Sequence, residues 1–280
     1  MPKSLSPLRY PGGKSKIYDK VRRLIEVNNL GGKTYVEPFA GGFGIGIGLL
    51  CDDIVQSAVL NDFDSHIYHF WDSVLHHTES ILKKIDDAPI TLEEREKQKA
   101  IYRDSHVDEV SDGFATLFLN RVNFSGVIMG GGPIGGLSQN GTYKIDCRFN
   151  KNEIAKKIER IASLKDRIQL YNSDASELIM VHLHNTIGTS FFNIDPPYVK
   201  KGHKLYANYF KEEDHRSLAR VITDYLDETQ WIVTYDDCDL IRNIYNQYHM
   251  LKYNIQHNVG SSVSGKEIVI TNIPEDSFVW

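Results

Sequence analysis

Thr34-Tyr35-Val36-Glu37-Pro38-Phe39-Ala40-Gly41-Gly42-Phe43-Gly44 is the stretch that decides the fold of this chain. Thr34-Tyr35-Val36 reads as a short strand. Pro38 opens a glycine-rich loop, with Gly41, Gly42, Gly44, Gly46 and Gly48, which leads into a small helix ending near Cys51. Glycine at a strand-to-helix turn lets a ligand approach the backbone closely. Ser57-Ala58-Val59-Leu60 is the next strand, stopped by Asn61-Asp62, where an acid can bind ribose hydroxyls. Strand, glycine loop, helix, strand, acid is the opening half of a doubly wound α/β sheet. The glycines fit no Gly-x-Gly-x-x-Gly register. From Gly42, Gly44 and Gly46 the third position falls on Ile47, Leu49 and Cys51. That weakens a dehydrogenase reading and suits a nucleoside ligand without pyrophosphate.

The alternation returns in the second half. Residues 167–171 read as a strand, 175–183 as a helix, 190–194 as a buried strand, 212–226 as a helix, 231–234 as a strand and 240–247 as a helix. Runs at 250–256 and 267–272 are close enough to form an antiparallel hairpin at the sheet edge. Ser190-Phe191-Phe192-Asn193-Ile194 runs straight into Asp195-Pro196-Pro197-Tyr198. Neither proline donates a backbone hydrogen bond, and each holds the preceding residue extended, so the strand ends in a stiff turn. Asp195 and the Pro196 carbonyl can accept the hydrogens of an amino group, and Tyr198 can stack on a flat ring. A strand-end turn with a capping Asp is the plainer alternative.

Between these halves the rhythm breaks. Phe63 to about Lys84 reads as one long helix. Thr91–Arg103 is a charged helix opened by a Thr91/Glu94 capping box, and Gly113–Asn120 is apolar and helical. Residues 126–141 hold seven glycines in sixteen positions, a loop or loose hairpin. Residues 152–164 form a basic helix. The expected division is therefore 1–64 and 166–280 as the two parts of one α/β domain, with 65–165 as a mostly helical insertion.

The formal net charge of −5 does not by itself suggest a nucleic-acid binder, but its distribution is uneven. Residues 86–112 carry nine acids against four bases, and 144–167 carry eight bases against four acids. Lys200, Lys201 and Lys204 follow the Asp-Pro-Pro-Tyr turn. A basic face on an acidic body suits phosphate contacts, and a solvated helix face explains 144–167 equally well. Three distant cysteines argue against a disulfide framework and a zinc site. No apolar run approaches the ~18 residues of a membrane span, and Met1–Tyr10 lacks a signal-peptide core, so a cytoplasmic setting is expected.

Six segments in order resemble the DNA adenine methyltransferases of the Dam type, with the alpha-group motif order. They are Pro7–Lys14, Val36–Gly44, Leu60-Asn61-Asp62, Leu119-Asn120-Arg121 with Phe124-Ser125-Gly126, Asp195–Tyr198, and Asp214-His215 with Leu218-Ala219. The resemblance implies a Rossmann-like S-adenosylmethionine-dependent methyltransferase sheet, with 65–165 as the target-recognition domain. It implies S-adenosylmethionine as methyl donor, no metal, and an adenine flipped from double-stranded DNA as acceptor. Carried over by position, Tyr10, Lys14, Asp62 and Asp195 line the donor site, and Glu37, Phe39 and the backbone of Gly41, Gly42 and Gly44 complete it. Asp174 is a further candidate for the adenine end of the donor, or an N-cap for the helix that follows. Asp195, Pro196, Pro197 and Tyr198 form the catalytic turn. Arg121, Asn123, Lys144, Arg148, Lys200 and Lys201 are candidates for DNA contact.

The chain departs from the family at Tyr10, where many members carry Trp, and in the glycine content of 127–141. The expected activity is site-specific transfer of a methyl group to the N-6 amino group of adenine. The enzyme is expected to be a monomer in solution, with pairing on DNA and a companion restriction endonuclease both left open, and to be associated with the nucleoid when bound. The alternatives are an RNA adenine or DNA cytosine amino methyltransferase, and an inactive DNA-binding regulator on the same fold.

Overall fold

A computed structural model describes residues 5–9, 17–199, 210–259 and 261–280. In chain order its strands are β1 (Thr34–Glu37), β2 (Ala58–Asn61), β3 (Ile168–Tyr171), β4 (Ser190–Ile194), β5 (Gln230–Asp236), β6 (His249–Val259) and β7 (Ser261–Thr271). The helices are α1 (Tyr18–Val27), α2 (Gly44–Cys51), α3 (Ser65–His76), α4 (Thr78–Asp87), α5 (Leu92–Arg103), α6 (Glu109–Val122), α7 (Lys151–Ala162), α8 (Ala175–Glu177), α9 (Glu212–Tyr225) and α10 (Asp239–Ile244). The chain divides into two compact units. One holds 17–63 and 167–280, the other 64–166 with the N-terminal residues 5–9. The N-terminal segment thus groups with the helical unit, whereas the sequence reading placed it with the sheet.

The first unit is a seven-stranded sheet in the order β3-β2-β1-β4-β5-β7-β6. β1 to β5 pair in parallel, and β7 runs antiparallel between β5 and β6. Helices cover a parallel sheet on both faces, so its strands are apolar at nearly every position. Every residue of β4 is buried, and Phe192, Ile194, Trp231 and Val233 join Val36 and Val59 in one core cluster. Truncating one of these rings to Ala costs about 3–5 kcal/mol. The strand order reverses between β1 and β4, which lie side by side with Val36 opposite Phe192. Ligands of such sheets bind at that reversal, beyond the carboxyl ends of the strands. The glycine loop leaves the end of β1, and Asp195 follows the end of β4.

The second unit is helical. α6 is its centre, buried almost all round, with Phe114, Leu117, Phe118 and Leu119 at 3% exposure or less. A Cβ on Gly113 would stand 2.5 Å from the His69 carbonyl oxygen, so glycine lets α3 and α6 approach closely. In α7 Ile154, Ile158 and Ile161 form an apolar stripe at helical spacing, and Lys156 and Arg160 face outward. Part of the basic 144–167 stretch is therefore a solvated helix face. The expected single helix over 63–84 is two helices. His77 leaves helical geometry (φ −127°, ψ 36°), and the Thr78 hydroxyl donates to the Val74 carbonyl at 2.8 Å across the break. The expected helix at 175–183 is one turn of α-helix followed by a π turn over Leu178–His182. No helix among the described residues is long and apolar enough to cross a membrane.

Candidate active site

The loop after β1 is tied down from three strands. Gly41 adopts φ +46°, a conformation that costs glycine nothing, and its N–H donates to the Asp62 carboxylate at 2.8 Å. Asn61 is fully buried at the end of β2. Its side-chain amide donates to the Pro38 carbonyl at 2.8 Å and the Ser173 carbonyl at 2.9 Å, and its amide oxygen accepts from Ser173 N–H at 3.0 Å. One side chain thus joins the ends of β1, β2 and β3. Phe43 holds a left-handed backbone (φ +46°), a strained geometry for a bulky residue. A Cβ on Gly46 would collide with the Phe43 ring, so that glycine serves packing. Gly44 is different, because a Cβ there would meet nothing within 4 Å. The residue after Asp62 is Phe63, 58% exposed, which the sequence reading passed over.

Glu37 faces the protein's own groups beneath this loop. It is 7% exposed. Its Oε1 accepts from the Tyr35 hydroxyl at 2.8 Å and from Gly46 N–H at 3.2 Å, and the Asn193 amide donates to the Tyr35 hydroxyl at 2.6 Å. Burial pushes the Glu37 carboxyl up to about 8, against the pull of its two hydrogen bonds and with a further push from Asp195. The group is therefore mainly a neutral acid near pH 7. Asp174 is exposed and its Oδ1 accepts from Ser176 N–H at 2.8 Å, the N-cap geometry of the helix it precedes.

The Asp-Pro-Pro-Tyr turn is bracketed by β5 and β7. The Thr234 hydroxyl donates to Asp195 Oδ1 at 2.6 Å, and Asp236 Oδ1 accepts from Val199 N–H at 2.9 Å. Tyr198 bonds the Glu267 carboxylate, which also accepts from the Tyr253 hydroxyl at 2.9 Å. The expectation that Tyr198 presents its ring to a base is not met in this geometry. The ring is 8% exposed and packs in the core near Tyr235, with centroids 6.4 Å apart. A tyrosine in a turn that follows a buried strand finds its apolar contacts in the core beside the sheet. Burial and the charge of Asp195 push its phenol well above the usual range. Phe39 stands edge-on to Phe210 at 5.9 Å, and Phe210 approaches His215 at 5.4 Å. The His215 Nδ1 faces the Tyr235 hydroxyl at 3.0 Å, and burial lowers its pKa against the opposing pull of Asp236 and Asp214.

In the helical unit Asn123, expected to contact DNA, is turned inward. It is fully buried, its amide oxygen accepts from Arg95 Nε at 2.7 Å, and its amino group donates to the Val127 and Ile128 carbonyls at 2.9 and 2.8 Å. It holds the start of the glycine-rich loop, whose only ladder contact among the described residues is an isolated bridge from Asn123 to Pro133. Lys144 is exposed and donates to the Gln139 carbonyl; Arg148 is exposed, and Arg121 is half-buried in the last turn of α6. Tyr10, Lys14, Lys200 and Lys201 lie outside the described residues. Among those described, no group of three or more His, Cys, Asp or Glu is placed to hold a metal ion.

A reversed-order parallel sheet with a glycine loop and an acid-ended turn on adjacent strands defines a class of α/β proteins that bind their ligand at the switch point. The family model of the D12 class N6 adenine-specific DNA methyltransferases matches residues 10–259, and the chain belongs to that family. Its members are methyltransferases. No curated protein matches the chain by sequence. Among solved structures it is similar to the rRNA methyltransferase AviRa from Streptomyces viridochromogenes, at 10% identity and TM-score 0.42, over 94% of this chain and 86% of that one. It is similar also to an uncharacterized protein from Listeria monocytogenes serotype 4b, at 7% identity and TM-score 0.38, over 89% of this chain and 66% of that one.

Proposed function

We propose that this protein transfers the methyl group of S-adenosylmethionine to the N-6 amino group of an adenine flipped out of double-stranded DNA, at a specific site. The observation that carries this is the meeting of the glycine loop and Asp195 on the adjacent strands β1 and β4, in a chain of this family. The donor set fits a nucleoside. Asp62 is an acid for the ribose, Phe63 an exposed ring beside it, and Gly44 an open backbone position. When bound, the donor supplies an electrophilic methyl group. Tyr10 and Lys14 complete its site by family position.

An adenine amino nitrogen is a poor nucleophile because its lone pair is delocalised into the ring. Asp195 and the Pro196 carbonyl accept its hydrogens, which favours a tetrahedral nitrogen and frees the lone pair. Positioning and fixed dipoles supply the rate, with no covalent intermediate. The base must leave the duplex to reach this turn. Stacking by Tyr198 requires its ring to move out of the core. The helical unit, 64–166, is the part that recognises DNA. Incubation with labelled donor and a mixed-sequence duplex tests the reading, which predicts label in N6-methyladenine. Label in cytosine or only in RNA replaces the substrate. Donor binding without transfer to any of them leaves an inactive regulator.

A further inference from the structure

Arg121 is an anomaly of the helical unit. Its Nε is buried with no hydrogen-bond partner. Among the described residues no carboxylate pairs with it, and the charges that act on it are two more cations, Arg9 and Arg148. Burial first, and then these neighbours, lower the Arg121 guanidinium to about 10. Arg9 is lowered too, by burial and by Arg148, with a small opposing effect of Cys147. Burying a charge without a counter-charge is costly, and gathering like charges around it adds to the cost.

Arg9 is fixed in this cluster from several directions. Its N–H donates to Asn120 Oδ1 at 2.7 Å, and the Asn120 amide returns a bond to the Arg9 carbonyl at 2.9 Å. Its Nη1 donates to the carbonyls of Asn123 at 3.2 Å and Arg121 at 3.5 Å. Those carbonyls end α6, where the helix dipole favours positive charge. Gly126 packs on the Arg9 carbonyl so closely that a Cβ would collide with it. Arg148 closes the 3-10 turn Ile145–Arg148 and is exposed. Arg9 and the last turn of α6 are thus held together by backbone and by Asn120, Arg148 lies near enough for its charge to act on both arginines, and the charge at Arg121 has no paired carboxylate among the described residues. An oxyanion compensates it, and guanidinium groups match phosphate oxygens in bidentate geometry.

We propose that Arg9, Arg121 and Arg148 form a seat for a backbone phosphate of the bound DNA strand, with Arg121 at its base. The proposal rests on the DNA reading above. Inorganic phosphate shares the chemistry, so the test carries both. Duplex binding is measured across a salt series for the wild type, Arg121→Gln and the exposed Arg148→Gln, whose folding the substitution spares. Loss of one phosphate contact makes the slope of log affinity against log salt shallower by about 0.9. Affinity at fixed salt falls roughly tenfold to a hundredfold, equally on unrelated duplexes. In parallel, inorganic phosphate raises the thermal midpoint of the wild type and not of Arg121→Gln, which has already lost the repulsion the anion relieves. Unchanged salt slopes in both variants, with wild-type binding intact, overturn the seat. A loss confined to one sequence assigns Arg121 to base reading and overturns it as well. A wild type that binds no duplex overturns the DNA reading itself and the strand assignment with it, and a phosphate-dependent midpoint in that case marks a site for free anions.

Discussion

Thr234→Val removes one atom that bears on the chemistry and almost nothing else. Thr234 is fully buried on β5, and valine is nearly its isostere, so packing survives. What goes is the hydroxyl that donates to Asp195 Oδ1 at 2.6 Å. A hydrogen bond to a charged group is worth about 1.5–3 kcal/mol. If Asp195 must hold its angle to accept an amino hydrogen, most of that is lost in the transition state, and kcat falls roughly tenfold to a hundredfold. KM for donor and DNA stays close to wild type, because neither ligand touches Thr234 in this reading. Thr234→Ser keeps the donor and restores kcat. The assay is steady-state methyl transfer for the three proteins. A valine variant with wild-type kcat refutes the reasoning, as does a serine variant no better than valine.

Two further outcomes follow from buried polar groups. The Glu37 carboxyl is raised from 4.5 to about 8 in the folded protein, so the native state holds a proton that the unfolded chain releases. The sign is therefore loss of stability as pH rises from about 4.5 to about 8, amounting to a few kcal/mol. Glu37→Gln flattens that window, and denaturant midpoints for both proteins at pH 5 and pH 8 check it. Asn123→Ala strands Arg95 Nε and two loop carbonyls, so it lowers stability by about 1–3 kcal/mol in urea unfolding without DNA present. A variant of unchanged stability with weakened DNA binding returns Asn123 to the interface.

The sequence exposed what is local and concealed what is assembled. The glycine loop, Asp62 and the Asp-Pro-Pro-Tyr turn could be read because each is a contiguous run whose backbone chemistry is decided within a few residues. Alternation of strand and helix also implied the doubly wound sheet. The brackets around the turn were out of reach. Thr234 meets Asp195 across 39 positions, and Glu267 reaches Tyr198 from β7, a strand far along the chain. A polar residue inside an apolar strand, such as Thr234 or Asn193, was the one available signal. Tyr198 and Asn123 lie inside the structure for a common reason. Side-chain chemistry suggested a ligand contact, while burial, which only the tertiary structure decides, gave each an internal partner. The break at His77 escaped because the residues around it keep helical periodicity.

The account stands on Asp195. Asp195→Ala, assayed beside the wild type with labelled donor and a duplex bearing the modified site, tests it most directly. The variant is predicted to bind that duplex nearly as well as the wild type and to leave adenine unlabelled. Sustained labelling of adenine by Asp195→Ala contradicts the account.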